Sequence, residues 1–277
     1  MATTTGDNLN PKQTPLTPRG KSIRRNIIDI THYSGASHVG PSFSVVEILT
    51  AVYSSVDVDK IRNHAADRDR VVVSKGHTAA AAYSVMHEFG LIDRQLLDSY
   101  CKNGSVLHGH VSHWAPNVEH STGALGHGLP VGVGMALGLK AKGFTSSRVF
   151  VVLGDSETHE GSNWEAFMYA GHRKLNNLCV LIDDNKFGQL APTDTVCSVG
   201  NLNNMIASFG FETYSVDGHD VEGLRALLKK TANAERPIGI VCHTIKGKGV
   251  SFMEGEVVWH YRPPSKEARE KALVELA

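Results

Sequence analysis

Apolar positions along the chain follow two different periods. Helical spacing is clearest near the start, where Ile23, Ile27 and Ile30 recur at intervals of four and three and predict a helix from Arg19 to about Gly35. Uninterrupted apolar runs rich in β-branched residues have the composition of buried strands, and they occur at 71–73, 149–153, 178–182 and 237–242. Strands that alternate with helices predict an α/β fold with a doubly wound, mostly parallel sheet flanked by helices.

Capping signals and helical spacing predict further elements. Ser44 to Glu47 has the form of a capping box, which predicts the start of an apolar helix after a loop at 34–41. Other helices are predicted at 78–88, 163–174, 221–230 and in the polar segment 265–270. Residues 1–18 are rich in Thr, Asn and Pro and are predicted to form a disordered N-terminal tail. Residues 19–277 are predicted to form a single domain.

Two of the predicted strands end in oxygen-bearing side chains. Gly154 and Asp155 follow the run at 149–153, and Asn185 follows the run at 178–182, thirty residues after Asp155. In an open parallel sheet, the carboxyl ends of the strands form the edge where ligands bind. A carboxylate and an amide are poor zinc ligands, but they suit a hard cation such as Mg²⁺, which also keeps places for water and phosphate.

Composition excludes several classes of function. Lys plus Arg and Asp plus Glu both number 28, so the net charge of zero gives no basis for binding nucleic acid or an acidic membrane surface. No uncharged apolar run approaches the length of a transmembrane helix, and no signal peptide is visible. The four Cys have no CxxC spacing, which is typical of reduced thiols and favours a cytoplasmic protein.

Histidines fall in several Gly-containing segments, where polar side chains often face ligands. His38 lies between two predicted helices, and alone it would more often be structural than a ligand contact. His77 precedes a helix N-terminus and is well placed for a phosphate. The irregular segment 104–128 contains five His, but His108, His110 and His113 lack the i, i+4 pairing of a helical zinc site.

These segments together resemble the transketolase family, over residues 20–265. The thiamine diphosphate motif is present as Gly154-Asp155 followed by Asn185, within a GD-x5-G-x2-W-E-A context. Five further segments match in the family's order: the loops around His38, His77 and His110, the STG-x-LG loop at 121–126, and the Trp-His pair at 259–260. Departures are Ser156 for the motif Gly, His127 for Gln, and two missing loop prolines, one of them replaced by Val39.

The resemblance implies a set of site residues. Thiamine diphosphate with Mg²⁺ (or Ca²⁺ or Mn²⁺ in its place) is the implied cofactor, and it would contact His77, Gly123, Leu125, Gly154, Asp155, Ser156, Glu160, Asn185 and His260. The implied metal ligands are Asp155, Asn185 and the backbone carbonyl of Phe187. The implied catalytic residues are His38, His77, His110 and His260, since proton transfer at sugar hydroxyls suits groups with near-neutral pKa values.

The resemblance also implies a partner, because the family's pyrimidine-binding and C-terminal domains have no counterpart in this sequence. We therefore expect the N-terminal subunit of a split transketolase, which moves a two-carbon ketol unit from a ketose phosphate to an aldose phosphate. It would act only with a C-terminal subunit, in a complex that contains two copies of each. The substrate stays open between pentose phosphate metabolism and a specialised sugar catabolism. Alternatives are a 2-oxo acid dehydrogenase α subunit, or a non-catalytic scaffold or regulatory subunit.

Overall fold

A five-stranded parallel sheet organises the protein, in a computed structural model that describes residue 9 and residues 11–277. The strand order is β1-β2-β3-β5-β4, and every neighbouring pair is parallel. The strands are β1 (Arg70–Val73), β2 (Val149–Gly154), β3 (Leu178–Asp184), β4 (Glu212–Asp217) and β5 (Ile238–His243). The prediction of a parallel α/β sheet is therefore confirmed, although β4 was not predicted.

Helices cover both faces of this sheet. The helices are α1 (Pro18–Ser34), α2 (Val39–Ser44), α3 (Val46–Tyr53), α4 (Val58–Arg62), α5 (Ala79–Glu88), α6 (Arg94–Leu97), α7 (Gly128–Ala141), α8 (Gly161–His172), α9 (Thr193–Val196), α10 (Leu202–Ser208), α11 (Val221–Lys230) and α12 (Lys266–Glu275). Short 3₁₀ turns lie at Gly76–Thr78, Ser156–His159, Thr231–Asn233 and Val257–His260. No helix among the described residues has the length and apolar character needed to cross a membrane.

Strand β2 shows how the core is divided between the two faces. Phe150 and Val152 pack into a larger hydrophobic cluster with α1, α3 and α5, whereas Val149, Val151 and Leu153 pack into a second cluster with α7 and α8. Successive side chains of a strand point to opposite faces, so a continuous apolar run is what a strand covered on both sides requires.

The predicted capping box at Ser44 is wrong. A helix already begins at Val39, and the next one begins at Val46. The Ser44 hydroxyl donates to Asp183 at 2.6 Å instead of capping a helix. Glu47 is buried and paired with Arg24, so long-range partners override the local capping signal.

Part of the predicted disordered tail is packed against the domain. Residues 1–8 and 10 lie outside the described residues, but the Lys248 ammonium donates to the carbonyls of Pro11 and Lys12 at 2.8 and 3.1 Å. Leu16 packs against the larger hydrophobic cluster, and Thr17 caps α1 by accepting from Gly20 N–H. These contacts join the segment from Pro11 to Thr17 to the domain.

Candidate active site

A cavity of about 430 Å³ opens at the carboxyl ends of β2 and β3. The register places Gly154 of β2 opposite Asp183 of β3, so the residues that follow the two strands lie side by side. Every predicted site residue lines this cavity: His38, His77, His110, Gly123, Leu125, Gly154, Asp155, Ser156, Glu160, Asn185, Phe187 and His260. The structure thus brings the whole set together, while the role of each residue stays a prediction.

Asp155 and Asn185 form a buried, oxygen-rich floor. Asp155 Oδ2 accepts from the Thr193 hydroxyl at 2.8 Å, and Asn185 Oδ1 accepts from Phe187 N–H at 3.0 Å. Burial raises the pKa of the Asp155 carboxyl to about 7, and repulsion from the nearby Asp184 carboxylate adds to this. A carboxylate this poorly compensated fits a bound hard cation.

The composition of this floor also limits which metal it suits. Among the described residues, no group of three or more His, Cys, Asp or Glu side chains is arranged to hold a metal ion. With the predicted ligands Asp155, Asn185 and the Phe187 carbonyl, a cation on this floor would have one carboxylate, one amide and one backbone carbonyl from the protein. The remaining places would be left for water and phosphate, the mixture that Mg²⁺ prefers.

A buried ion pair behind the floor was not predicted. The Lys75 ammonium bonds Asp183 Oδ2, with both side chains almost fully buried. Asp183 also accepts from the hydroxyls of Ser44 at 2.6 Å and of Thr244, and from Asn185 Nδ2 at 3.3 Å. The amide nitrogen of Asn185 is thus held toward Asp183, which leaves its carbonyl oxygen on the other side.

Glu157 was also missed, and it joins three segments of the cavity wall. Its buried carboxylate accepts from the Ser74 hydroxyl, from Gly126 N–H at 3.1 Å and from Gly154 N–H at 3.1 Å. Gly126 has φ +82°, a conformation that favours glycine. One carboxylate therefore fixes the glycine loop at 121–126 relative to the end of β2.

Four histidines from four separate segments meet above the floor. The His38 ring centroid lies 5.3 Å from that of His260, 5.4 Å from that of His77 and 5.6 Å from that of His110. His38 has a positive φ of 70°, and its N–H donates to the carbonyl of His260 at 2.9 Å. This backbone contact holds the start of α2 against the 3₁₀ turn Val257–His260.

The pKa values of these histidines lie below the near-neutral range expected from the sequence. Burial lowers the pKa of His38 to about 4, with repulsion from His110 and Lys246. Burial and the Lys246 charge lower the pKa of His260 to about 3. Burial also lowers the pKa of His77 and His110. The imidazoles are therefore neutral at pH 7, able to donate from one nitrogen and accept at the other.

Lys246 adds a positive charge beside this cluster. Its ammonium donates to the carbonyl of Gly188 at 3.2 Å and lies 3.4 Å from His260 Nδ1. Burial and repulsion from Lys75 lower the pKa of Lys246 to about 8. Lys75 is already paired with Asp183, so Lys246 is the lysine whose positive charge favours an anionic ligand beside the cluster.

The departures from the family pattern have different consequences. Ser156 is not among the residues with positive φ, so a side chain there causes no backbone strain, and its hydroxyl lies 3.4 Å from that of Thr193. Gly123, which matches the family pattern, could not be replaced in the same way: it has φ +137°, and an added Cβ would lie 2.7 Å from the His110 ring. His127 is exposed and contacts the carbonyls of Ala124 and Leu125. It is not part of the cavity lining.

Several lining residues had no sequence signal of their own. They are Pro41, Lys75, Glu157, His159, Gly188, Gln189, Leu190, Val196 and Tyr261. Most belong to the loop after β3 or to turns beside the matched motifs. Only the folded chain places these side chains beside the motif residues.

The sheet, its edge cavity and the oxygen-rich floor define a thiamine diphosphate-binding α/β fold. Residues 19–272 match the family model described as "Transketolase, thiamine diphosphate binding domain". The transketolase of Campylobacter jejuni superposes with a TM-score of 0.85 at 25% identity, over 97% of this chain and 43% of that chain. The chain belongs to the transketolase family.

Relatives of similar length show which kind of transketolase chain this protein corresponds to. The chain is 38% identical to an apulose-4-phosphate transketolase subunit of Actinobacillus succinogenes, over 94% of this chain and 95% of that protein. It is 31% identical to a 6-deoxy-6-sulfo-D-fructose transketolase subunit of Clostridium sp., over 97% of this chain and 98% of that protein. The chain therefore corresponds to an N-terminal transketolase subunit. The family match decides against a 2-oxo acid dehydrogenase α subunit.

Proposed function

We propose that this chain, together with a C-terminal subunit, transfers a two-carbon ketol unit from a ketose phosphate to an aldose phosphate. One observation carries the proposal: residues from six separated motifs line a single cavity, with neutral imidazoles above an oxygen-rich floor. The scaffold alternative gains nothing from Ser156, because that residue is accommodated without backbone strain. The proposed activity places the chain among the transferases.

The cavity residues fit thiamine diphosphate and Mg²⁺. Asp155, Asn185 and the Phe187 carbonyl would hold the metal, while the glycine loop containing Gly123 and Leu125 would face the diphosphate and the aminopyrimidine. When bound, thiamine diphosphate supplies the stabilised carbon nucleophile that cleavage of a ketose carbon–carbon bond requires. The positive charge of Lys246 would favour the anionic end of the cofactor.

The histidines would serve the sugar rather than the metal. A neutral imidazole donates one hydrogen bond and accepts another, so the four rings can orient successive sugar hydroxyls. His110 is exposed, and His38, His77 and His260 are half-buried, so all four rings are accessible from the cavity that they line. A diphosphate beside them would raise their pKa values and equip them for proton transfer during turnover.

The partner would complete the open side of the cavity. Glu160 is exposed at the rim, where the resemblance implies a contact with the partner subunit. Two relatives of similar length are each named as one subunit of a transketolase, which supports a two-chain enzyme. We propose two copies of each subunit, with an active site at each interface.

The substrate class is proposed from the same relatives. Their names specify apulose 4-phosphate and 6-deoxy-6-sulfo-D-fructose, one a branched and one a sulfonated ketose. We propose that the complex containing this chain also uses a specialised ketose as its donor. Linear ketose phosphates are the donors against which its activity is compared. A cytoplasmic location is proposed because all four cysteines are free thiols.

A pull-down from the native host, with thiamine diphosphate and Mg²⁺ present, tests the proposal. We expect a stoichiometric partner that carries the missing domains, and an eluate that transfers ketol units from at least one ketose in a linear, branched and sulfonated panel. A complex that binds no thiamine diphosphate and transfers no ketol unit would contradict the proposal. It would favour the scaffold alternative instead.

A further inference from the structure

Two exposed side chains from different loops are joined by a hydrogen bond at the mouth of the cavity. The Gln189 amide donates to the hydroxyl of Tyr261, and both residues line the cavity. Gln189 belongs to the loop after β3, whereas Tyr261 follows the 3₁₀ turn that carries His260. The bond therefore spans two loops that are far apart in sequence and reach the same opening.

The Tyr261 ring forms an aromatic wall beside the histidine cluster. Its centroid lies 5.5 Å from that of His38 and 5.1 Å from that of His260. Tyr261 is 51% exposed, while Asp155 on the cavity floor is 3% exposed. The phenol ring thus occupies the outer end of the path that leads to the floor.

The residues that hold Tyr261 are themselves fixed. Gly188, next to Gln189, donates its N–H to the carbonyl of Ala191 at 2.9 Å and accepts from the Lys246 ammonium at 3.2 Å. The tight turn that carries Gln189 is therefore anchored on both sides. A side chain presented from an anchored turn can orient its partner before a ligand arrives.

We propose that Tyr261 is a specificity-determining residue of the ketol transfer proposed above, on which this assignment rests, and that Gln189 positions its ring. A ketose chain has hydroxyl groups that suit the imidazoles and C–H groups that suit an aromatic face. The ring limits how far the end of a ketose remote from the reacting carbonyl extends through the mouth. Donors with a longer carbon chain are therefore discriminated against.

A contact with the partner subunit is a competing explanation for the exposed side chains at the mouth of the cavity. Leu190 and Val196 also line the cavity and are 78% and 60% exposed, so the partner subunit would cover this rim if it were an interface. The two explanations differ in what loss of the Tyr261 ring changes. A substrate wall alters the ratio of rates between donors, whereas a contact between subunits alters the affinity of the two chains for each other.

The test uses the complex purified with its partner and linear ketose phosphates of five, six and seven carbons. The readout is the ratio of kcat/KM for the seven-carbon donor to that for the five-carbon donor. Tyr261→Ala should raise this ratio about tenfold, since one side-chain contact in a pocket discriminates by about that much. Tyr33→Ala is the matched control, because Tyr33 is 64% exposed and lies outside the cavity lining.

Two further variants isolate the bridge. Gln189→Ala and Tyr261→Phe each remove the hydrogen bond and keep the ring, so each should raise the ratio about threefold, less than the ~10-fold change for loss of a whole contact. The double variant should change it no further, because both substitutions remove one interaction. Thiamine diphosphate affinity, measured by titration, should stay within about twofold of wild type in all of them, because the bridge does not contact the floor.

The outcomes separate the inference from the proposed function. An active complex whose ratio is unchanged by Tyr261→Ala, or in which neither wild type nor Tyr261→Ala uses any linear donor, would overturn the inference alone. Weaker binding between the two chains with an unchanged ratio would overturn it in favour of an interface contact. A wild-type complex that transfers no ketol unit from any donor in the full panel would overturn both.

Discussion

Replacing Lys75 by Met should destabilise the protein strongly, because the lysine neutralises a buried carboxylate. The side chains of Lys75 and Asp183 are 2% and 0% exposed. Removing one partner of such a pair leaves an uncompensated buried charge and costs about 3–5 kcal/mol. Asp183 keeps three hydrogen-bond donors, from Ser44, Thr244 and Asn185. We therefore expect about 3 kcal/mol, the lower end of that range.

Calorimetry of the isolated chain at pH 7 measures this effect. A loss of about 3 kcal/mol corresponds to a fall in Tm of roughly 6–12 °C. The double variant Lys75→Met with Asp183→Asn removes both charges and should recover about half of the loss. A single variant within about 1 kcal/mol of wild type, or a double variant whose cost equals the sum of the two singles, would refute the reasoning.

Three other predictions concern Glu47, two histidines of the cavity and Gly171. Burial alone would raise the pKa of Glu47, but Arg24 lowers it to about 2, below the ordinary 4.5. The ionised carboxylate therefore contributes about 3 kcal/mol to the free energy of unfolding above pH ~4.5, and this contribution is lost as the pH falls toward ~2. The free energy of unfolding of Glu47→Gln should not show this fall in acid. His110→Ala or His260→Ala should lower turnover of the complex about 100-fold, while thiamine diphosphate binding partly survives. Gly171→Ala should cost about 2–3 kcal/mol in chemical unfolding, because the new Cβ would lie 1.7 Å from the carbonyl oxygen of Phe209.

Each of these predictions has a control or a contrary result. Gly134→Ala is the matched control for Gly171→Ala, because nothing lies within 4 Å of a Cβ there and alanine should stabilise α7 by about 0.5–1 kcal/mol. Equal changes in the free energy of unfolding for Gly171→Ala and Gly134→Ala would show that the structure near Phe209 relaxes to relieve the clash. Acid unfolding of Glu47→Gln that parallels wild type would remove Glu47 from the acid-labile groups. Wild-type turnover in either histidine variant would remove that histidine from the site.

The sequence predicted the parts of the site that follow strongly patterned elements. Continuous apolar runs marked β2 and β3, and the residues after them, Asp155 and Asn185, meet because the strands are adjacent and parallel. The four histidines were recognised from separate motifs. Their meeting within 5.3–5.6 Å of His38 required the whole fold.

What the sequence did not reveal depends on contacts between distant residues. Asp183 looks like part of a polar strand end, yet it accepts from Lys75, 108 positions away. Glu157 gives no signal that distinguishes it from a surface acid. β4 lies at the edge of the sheet and mixes polar with apolar residues, so it lacks the apolar run that marked the central strands.

Ketol transfer by the purified two-chain complex, with Asp155→Ala compared to wild type, tests the central claim most directly. Asp155 lies on the cavity floor, and Asp98 is an exposed surface acid whose Asp98→Ala variant is the matched control. We predict that wild type and Asp98→Ala transfer a ketol unit in the presence of thiamine diphosphate and Mg²⁺, and that Asp155→Ala loses both activity and Mg²⁺-dependent cofactor binding. Undiminished transfer by Asp155→Ala would contradict the account, because the chemistry would then lie outside this cavity.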